Sequence, residues 1–371
     1  MAGLYGQQHV HRITSLEKGT WTSRSYREAV LRHLQPVIPY DAYCFTTVDP
    51  STLLSTGAVT EDGVEAIHDQ LFINEYMEED IHKYADLVQS DQHTAILYAA
   101  VHSNPESSVR YKNILLPAGF GDEMRTVFIS NDSCWGYLTL YRKADQPAFT
   151  EQERSQLEEW TYSIAKMLRI TSLTLIEEMK RESPAEPGIL LASNALKLVS
   201  LNTSAEYWIS QLRLMEGISP NTLPRPVRAV ASHLLSQLQL EQSAACKSLC
   251  ASPSKVCIQL PDGRYLMLQA SHLKQLDGSD QIAVMLNQAM PQELLSVLAE
   301  CHGLSPRERE VLGYVLRSYS SKEIAAAMYI SAYTVQDHLK SIFDKTGVSS
   351  RRELIWYFVS RFQLTDELTI G

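Results

Sequence analysis

The sequence predicts a multidomain α+β chain: two units of mixed sheets and helices in series, followed by an all-α unit of four helices. Three observations carry that reading. At roughly 150 residues per domain, a length of 371 residues gives two or three. A polar stretch, Arg181-Glu182-Ser183-Pro184-Ala185-Glu186-Pro187-Gly188, interrupts the chain near its middle. From Gly303 onward, strand patterns give way to densely spaced helix caps.

In the first unit, Ser25–Leu34 has helical character and ends near Pro36. Tyr40–Val48 and Leu53–Val59 read as strands, and Gly63–Tyr76 as a helix. Val109–Leu116 returns to strand character. Glu123–Ser130 and Trp135–Arg142 flank Asn131-Asp132-Ser133, a hairpin loop. Thr150-Glu151-Gln152-Glu153 is a capping box. It opens a helix read to about Arg181, with Leu157, Trp160, Ile164, Leu168, Leu175 and Met179 as an apolar stripe. At that length it bridges domains or pairs with a second copy.

In the second unit, Ile189–Leu191 and Lys197–Leu201 read as short strands, and Asn202–Leu214 as a helix. Val256–Leu260 and Tyr265–Ala270 are strands joined through Pro261-Asp262-Gly263-Arg264, where Asp-Gly signals a turn. Gln281–Leu286 is a last strand. The expected division is an extension at 1–22, a first unit at 23–170, a connecting helix at 150–181, a linker at 182–188, a second unit at 189–290 and the helical unit at 303–362.

Three more capping boxes punctuate the helical unit: Ser305-Pro306-Arg307-Glu308, Ser320-Ser321-Lys322-Glu323 and Ser350-Arg351-Arg352-Glu353. Helices follow near 306–317, 321–328, 332–346 and 351–362. Only Tyr329-Ile330-Ser331 separates the second from the third, which is helix-turn-helix spacing. At 100° per residue, Val335, Leu339, Ile342 and Phe343 share one face of the third helix and should pack on Ile324, Met328 and Val311. Tyr333, Gln336, Asp337, Lys340 and Asp344 share the opposite face. Gln bonds adenine bidentately and Lys reaches guanine acceptors, so this face suits the major groove. Ser331 and Thr334 are placed to fix phosphates. The last helix, rich in Leu354, Ile355, Trp356, Tyr357, Phe358 and Val359, has apolar surplus for a dimer contact or for covering the units before it.

Residues 303–362 resemble the LuxR-type helix-turn-helix domain. The resemblance is carried by Leu304-Ser305-Pro306-Arg307-Glu308-Arg309-Glu310-Val311-Leu312, Ser321-Lys322-Glu323-Ile324-Ala325, Thr334-Val335, His338-Leu339 and Ile342-Phe343-Asp344-Lys345-Thr346-Gly347-Val348. It implies a bacterial transcription regulator that binds double-stranded DNA as a homodimer, with RNA polymerase as a further partner. Gln336, Asp337 and Lys340 then face bases. Lys322, Thr334 and Lys345 contact phosphate, with Ser331 and Ser341 completing the DNA-binding set. Asp337 departs from the apolar or basic residue often found there; it accepts from cytosine N4 or penalises most sequences. Residues 23–170 resemble a GAF domain, notably at Pro39-Tyr40-Asp41-Ala42, Leu115–Glu123 and Cys134-Trp135-Gly136-Tyr137-Leu138. Residues 189–288 resemble a degenerate PAS domain around Leu198–Glu206. Both imply sensory or dimerisation modules that take a small-molecule ligand, of no specified identity.

The charge qualifies this reading. With 33 Lys+Arg against 43 Asp+Glu the chain carries −10, which repels phosphate. Nine basic and six acidic residues fall within 303–362, however, so that segment is at +3 and the remainder at −13. The acidic remainder is therefore expected to leave DNA alone, and to be able to dock on the basic face and mask it. Met1–Arg12 lacks a signal-peptide core, and no apolar run approaches 18 residues, so a cytoplasmic, membrane-free protein is expected. Cys44, Cys134, Cys246, Cys250, Cys257 and Cys301 are scattered as in reduced proteins. Cys246, Cys250 and Cys257 match no zinc spacing, and Glu78-Glu79-Asp80-Ile81-His82 reads as a solvated acidic segment. No catalytic residue, metal or cofactor is assigned. The competing functions are a thiol or redox enzyme using Cys44 or Cys134, and an interaction module that does not bind DNA.

Overall fold

The computed structural model describes residues 13, 15–101, 104, 107–173, 184, 186–242, 253–274 and 280–363. Cys246, Cys250, Leu175, Met179 and residues 182, 183 and 185 of the expected linker lie outside them.

The first unit is built on strands β1 (Ala42–Val48), β2 (Ser55–Thr60), β3 (Thr94–Ile96), β4 (Phe120–Ser130) and β5 (Ser133–Lys143), in the order β2-β1-β5-β4-β3. Neighbouring strands run antiparallel throughout. The β4–β5 hairpin turns at Asn131 and Asp132, with φ of 54° and 60°, left-handed values that Asn and Asp tolerate better than most residues. Helix α1 (Ser23–Leu34) is capped by Thr22 and lies against one face of this sheet, and α2 (His68–Met77) stands beyond the other. Helix α3 (Glu151–Thr171) starts at the expected box, Thr150 Oγ1 accepting from the Glu153 N–H at 3.3 Å. Its Leu157, Trp160, Ile164 and Leu168 are buried with Tyr26, Phe45 and Leu138 in one core. It closes at Thr171, where the Ser172 hydroxyl donates to the Leu168 carbonyl at 3.0 Å; residues 174–183 lie outside those described.

Two expectations change here. The helix expected over Gly63–Tyr76 is broken into Asp62–Glu65 and α2. The strand expected over Val109–Leu116 is a π-helical turn, Tyr111–Leu115. Its buried residues, Arg110, Tyr111, Ile114 and Leu115, follow helical spacing and not alternation. Ser108 Oγ accepts from the Tyr111 N–H at 3.0 Å, which starts the turn.

The second unit comprises β6 (Gly188–Ala192), β7 (Leu198–Leu201), α4 (Thr203–Glu216), α5 (Arg225–Gln242), β8 (Lys255–Gln259), β9 (Tyr265–Lys274) and β10 (Asp280–Gln288). Its order, β7-β6-β10-β9-β8, repeats the first sheet's 2-1-5-4-3 arrangement. Leu268 pairs with Leu286 and Ala270 with Val284, so alternate residues of β9 and β10 enter the core. Gly263 at φ 82° makes the turn between β8 and β9. Helix α5 is an element beyond those expected; its Val227, Val230, Ala231 and Leu235 recur at helical spacing and are buried.

Helix α5 joins the two units. Arg225 and Arg228 are only 1% and 2% exposed. Arg228 reaches Glu65 at 2.7 Å and Asp69 at 2.8 Å. Arg225 pairs with Glu65 and donates through Nε to His68 Nε2 at 2.9 Å. Burial, with Arg225 and Arg228 close by, holds the His68 pKa well below the usual histidine value, so the ring is neutral there. A further helix, α6 (Pro291–Cys301), was also not anticipated. Its Leu294 and Leu298 pack with Tyr265 and Met267 of the second sheet, while Cys301 enters the first unit's core. The Arg169 guanidinium donates to the Cys301 carbonyl at 2.7 Å.

A candidate nucleic-acid interface

Four helices close the described residues: α7 (Pro306–Leu316), α8 (Ser321–Met328), α9 (Ala332–Thr346) and α10 (Arg351–Gln363). The first two boxes expected from the sequence form; at the third, Ser350 Oγ accepts from the Glu353 N–H at 3.2 Å, but the Glu353 carboxylate accepts from the Ser349 N–H and hydroxyl, one residue earlier than the box requires. Ser305 and Glu308 exchange hydrogen bonds at the start of α7, and Ser320 and Glu323 at the start of α8. Tyr329 ends α8 in the left-handed region at φ 56°, and Ser331 Oγ accepts from the Thr334 N–H at 3.0 Å to start α9. Gly347, at φ 72°, ends α9.

The angular division of α9 is realised. Val335, Leu339 and Ile342 are buried with Ile324, Met328, Val311 and Leu312. Gln336, Asp337, Lys340, Tyr333 and Asp344 are exposed, and so is Lys322 on α8. Among the described residues, Lys322, Asp337 and Lys340 have no side-chain hydrogen bond or ion pair. The Gln336 amide donates to Ser321 Oγ at 3.0 Å, which ties the start of α8 to α9. The acidic units do not mask this face. The α6 segment instead carries the contact to the units before it, with Glu300 bonding Ser133 on one side and Arg309 at 2.5 Å on the other.

Ser341 and Lys345 have an internal partner. Ser341 Oγ donates to Glu308 Oε1 at 2.6 Å, and Lys345 Nζ to Glu308 Oε2 at 2.7 Å. Glu308 therefore caps α7 and pins it to α9. Burial pushes its carboxyl up, but the bonds from Lys345, Ser341 and the Ser305 N–H outweigh this and hold the pKa down to about 2. A carboxyl held below its unfolded value gives stability that is complete above the unfolded pKa and fades as pH falls through the folded one. Acid should thus loosen the α7–α9 contact between about pH 4.5 and 2. Amide exchange of α9 across that range checks this, and Glu308→Gln should flatten the dependence.

Sequence reasoning also missed Tyr329, 95% exposed beside the turn, whose left-handed backbone no local residue type signalled. In α10, Leu354 and Phe358 face the domain core and Trp356 is 64% exposed. Elsewhere, burial pushes the Cys134 and Cys301 thiols up to about 12, which leaves them protonated and poor nucleophiles. Glu78 and Asp80 both accept from the Asn74 amide at 2.9 Å, and Asp80 also pairs with Arg110, so the segment is structured and not merely solvated.

The model for bacterial regulatory proteins of the luxR family matches residues 302–358. Those residues form a LuxR-type helix-turn-helix domain. Oxygen regulatory protein NreC of Staphylococcus aureus is 38% identical over 58 residues, which are 16% of this chain and 27% of NreC. The chain thus spans about a quarter of the length of the curated relatives it matches. Escherichia coli SdiA aligns over 99% of this chain and 100% of its own, at 11% identity and a TM-score of 0.30. The GAF domain of a two-component sensor histidine kinase from Bacillus halodurans covers 39% of this chain and 95% of its own, at 13% identity and a TM-score of 0.28. A Vibrio cholerae VqmA–ligand–DNA complex covers 49% and 88%, at 18% identity and a TM-score of 0.23. No described helix is long and apolar enough to cross a membrane.

Proposed function

We propose that the chain is a non-enzymatic bacterial transcription regulator that binds double-stranded DNA as a homodimer in the cytoplasm. The observation that carries this reading is the exposed, unpartnered Lys322, Asp337 and Lys340 around α9 of a LuxR-type domain. Gln336, Asp337 and Lys340 read bases. Lys322, Ser331 and Thr334 hold phosphates. Lys345 and Ser341 contribute from the Glu308 pin, the Lys345 ammonium keeping further N–H groups for phosphate. The units at 23–170 and 189–290 act as GAF-like and PAS-like sensors, the helix from 150 and the linker at 182–188 connect them, and α6 relays their arrangement to the reader. Trp356 offers apolar surface to the second copy. RNA polymerase is the partner through which bound protein acts.

Selection of genomic fragments by the full chain tests this reading. Enriched fragments should carry paired half-sites about one helical turn apart. Their affinity should fall linearly in log–log form with salt, by about 0.9 for each phosphate engaged. No enrichment, with no salt dependence, would leave an interaction module as the function.

A further inference from the structure

A cavity of about 630 Å³ lies where the first unit, the second unit and α6 meet. A second, of about 60 Å³, lies inside the first unit. At roughly 30 Å³ per water, the smaller holds about two waters, whereas the larger falls within the ~300–1,000 Å³ of small-molecule sites. The smaller one is narrowed by its own walls: Tyr84 and Tyr137 stack at 4.0 Å, and Arg125 lies 4.7 Å over the Tyr84 ring. Space for a small molecule is therefore between the units.

Among the described residues, the charged ones lining the larger cavity are Arg24, Arg27, Asp49, Glu216 and Asp262. Three are matched by the protein. Arg24 pairs with Glu28 at 2.9 Å, Asp262 with Arg264 at 2.5 Å, and Asp49 accepts from the Cys257 and Ser51 N–H groups. The other two are buried and incompletely matched. Arg27, 7% exposed, spends Nε and Nη1 on the carbonyls of Ser23, Phe45 and Gly57; among the described residues its Nη2 has no partner and no carboxylate is within ion-pair distance. Glu216, 9% exposed, accepts from the Arg225 N–H through Oε2, and its Oε1 has no partner. Burial pushes the Glu216 carboxyl up and the Arg27 guanidinium down, to about 10, so neither charge is well solvated. Both groups converge on Gly57. Arg27 Nη1 donates to its carbonyl at 3.3 Å, and a β-carbon there would stand 3.9 Å from Glu216 Oε1. They are too far apart to pair with each other, and near enough for one head group to touch both. Leu168, Leu212, Ile258 and Val297 supply apolar wall, and exposed Arg24 and Leu214 stand at the rim.

We propose that this cavity binds a small zwitterion with an apolar body, an apolar amino acid or short peptide of them, its carboxylate on Arg27 and its ammonium on Glu216. A molecule with one charge satisfies one side and leaves the other buried and unmatched, which costs affinity. Val297 and Cys301 of α6 line the same space, so an occupant touches the helix that leads into the DNA-binding domain.

Thermal unfolding of the full chain with each of the twenty amino acids and with apolar dipeptides such as Leu-Leu tests this. At least one apolar member should raise Tm by several degrees. Its N-acetyl and amide forms, each lacking one charge, should bind at least about ten-fold more weakly by calorimetry. Glu216→Gln keeps the side-chain shape and should lose the Tm shift. The analogue series makes the same point on the unaltered chain should that variant misfold. The proposal fails if no member shifts Tm, if the singly charged forms bind equally well, or if Glu216→Gln responds as the parent does. No DNA is present in these measurements, so this outcome and that of the regulatory reading are independent.

Discussion

Arg225→Ala should destabilise the full chain by about 3–5 kcal/mol, read as a lower urea midpoint with little change in slope. The Arg225 guanidinium is buried between two units and makes two directed contacts, with Glu65 and with the neutral His68. Its removal leaves Glu65 with only Arg228, and takes a positive charge away from buried Glu216. The weaker compensation of these two carboxylates, and not a lost attraction as such, is the cost. The double variant Arg225→Met, Glu65→Gln should therefore lose less than Arg225→Ala alone, because it removes charge from both sides and leaves Arg228 its second carboxylate, Asp69. If the double variant loses more, the pair is a net source of stability and the desolvation argument is wrong.

This joint also marks the limit of what the sequence shows. Arg225 and Glu65 are 160 positions apart, and nothing local to either says that they meet. The elements read correctly are those whose signals are local. Thr150 with Glu153, Ser305 with Glu308, and Ser320 with Glu323 state their helix starts within four residues. The faces of α9 follow from 3.6-residue periodicity, which is why Val335, Leu339 and Ile342 were legible as core. Misses have equally specific causes. The Val109–Leu116 segment is rich in β-branched and apolar residues, yet Arg110 is drawn inward by Glu123, and the segment coils around that buried ion pair. Strand β3 is three residues long and too short to show a period. Helices α5 and α6 carry apolar residues at helical spacing, Val227, Val230, Ala231 and Leu235 in the one and Leu294 and Leu298 in the other.

The candidate DNA-facing site divides in the same way. The exposure of Gln336, Asp337 and Lys340 was legible because it is the complement of a buried stripe. The engagement of Lys345 and Ser341 was not. Glu308 is recognisable as a capping residue from Ser305 three positions before it, but Lys345 lies 37 positions away. The cavity between the units was invisible altogether, since its two unmatched charges, Arg27 and Glu216, come from helices far apart in the sequence, α1 and α4.

Lys340→Ala should weaken binding to the preferred site by about 1–3 kcal/mol more than binding to random DNA. The reason is position. Lys340 lies on the outward face of α9, five residues past the buried Val335, and has no partner in the protein to hold its ammonium back. A groove-facing ammonium reaches guanine O6 and N7, which random DNA presents only by chance. Lys322 is the control. It stands in the first turn of α8, where helices of this arrangement cross the backbone. Lys322→Ala should lower affinity for all sequences alike and reduce the salt slope by about 1. Asp337→Ala separates the two roles open to that carboxylate: loss of affinity for one base only if it accepts from cytosine, and a gain on most sequences if it repels them. Fluorescence anisotropy of the full chain on both kinds of duplex, over a salt series, measures all three. An equal loss on specific and random DNA for Lys340→Ala would make it a phosphate contact, and would move the reading of bases to Gln336 and its neighbours on the same face.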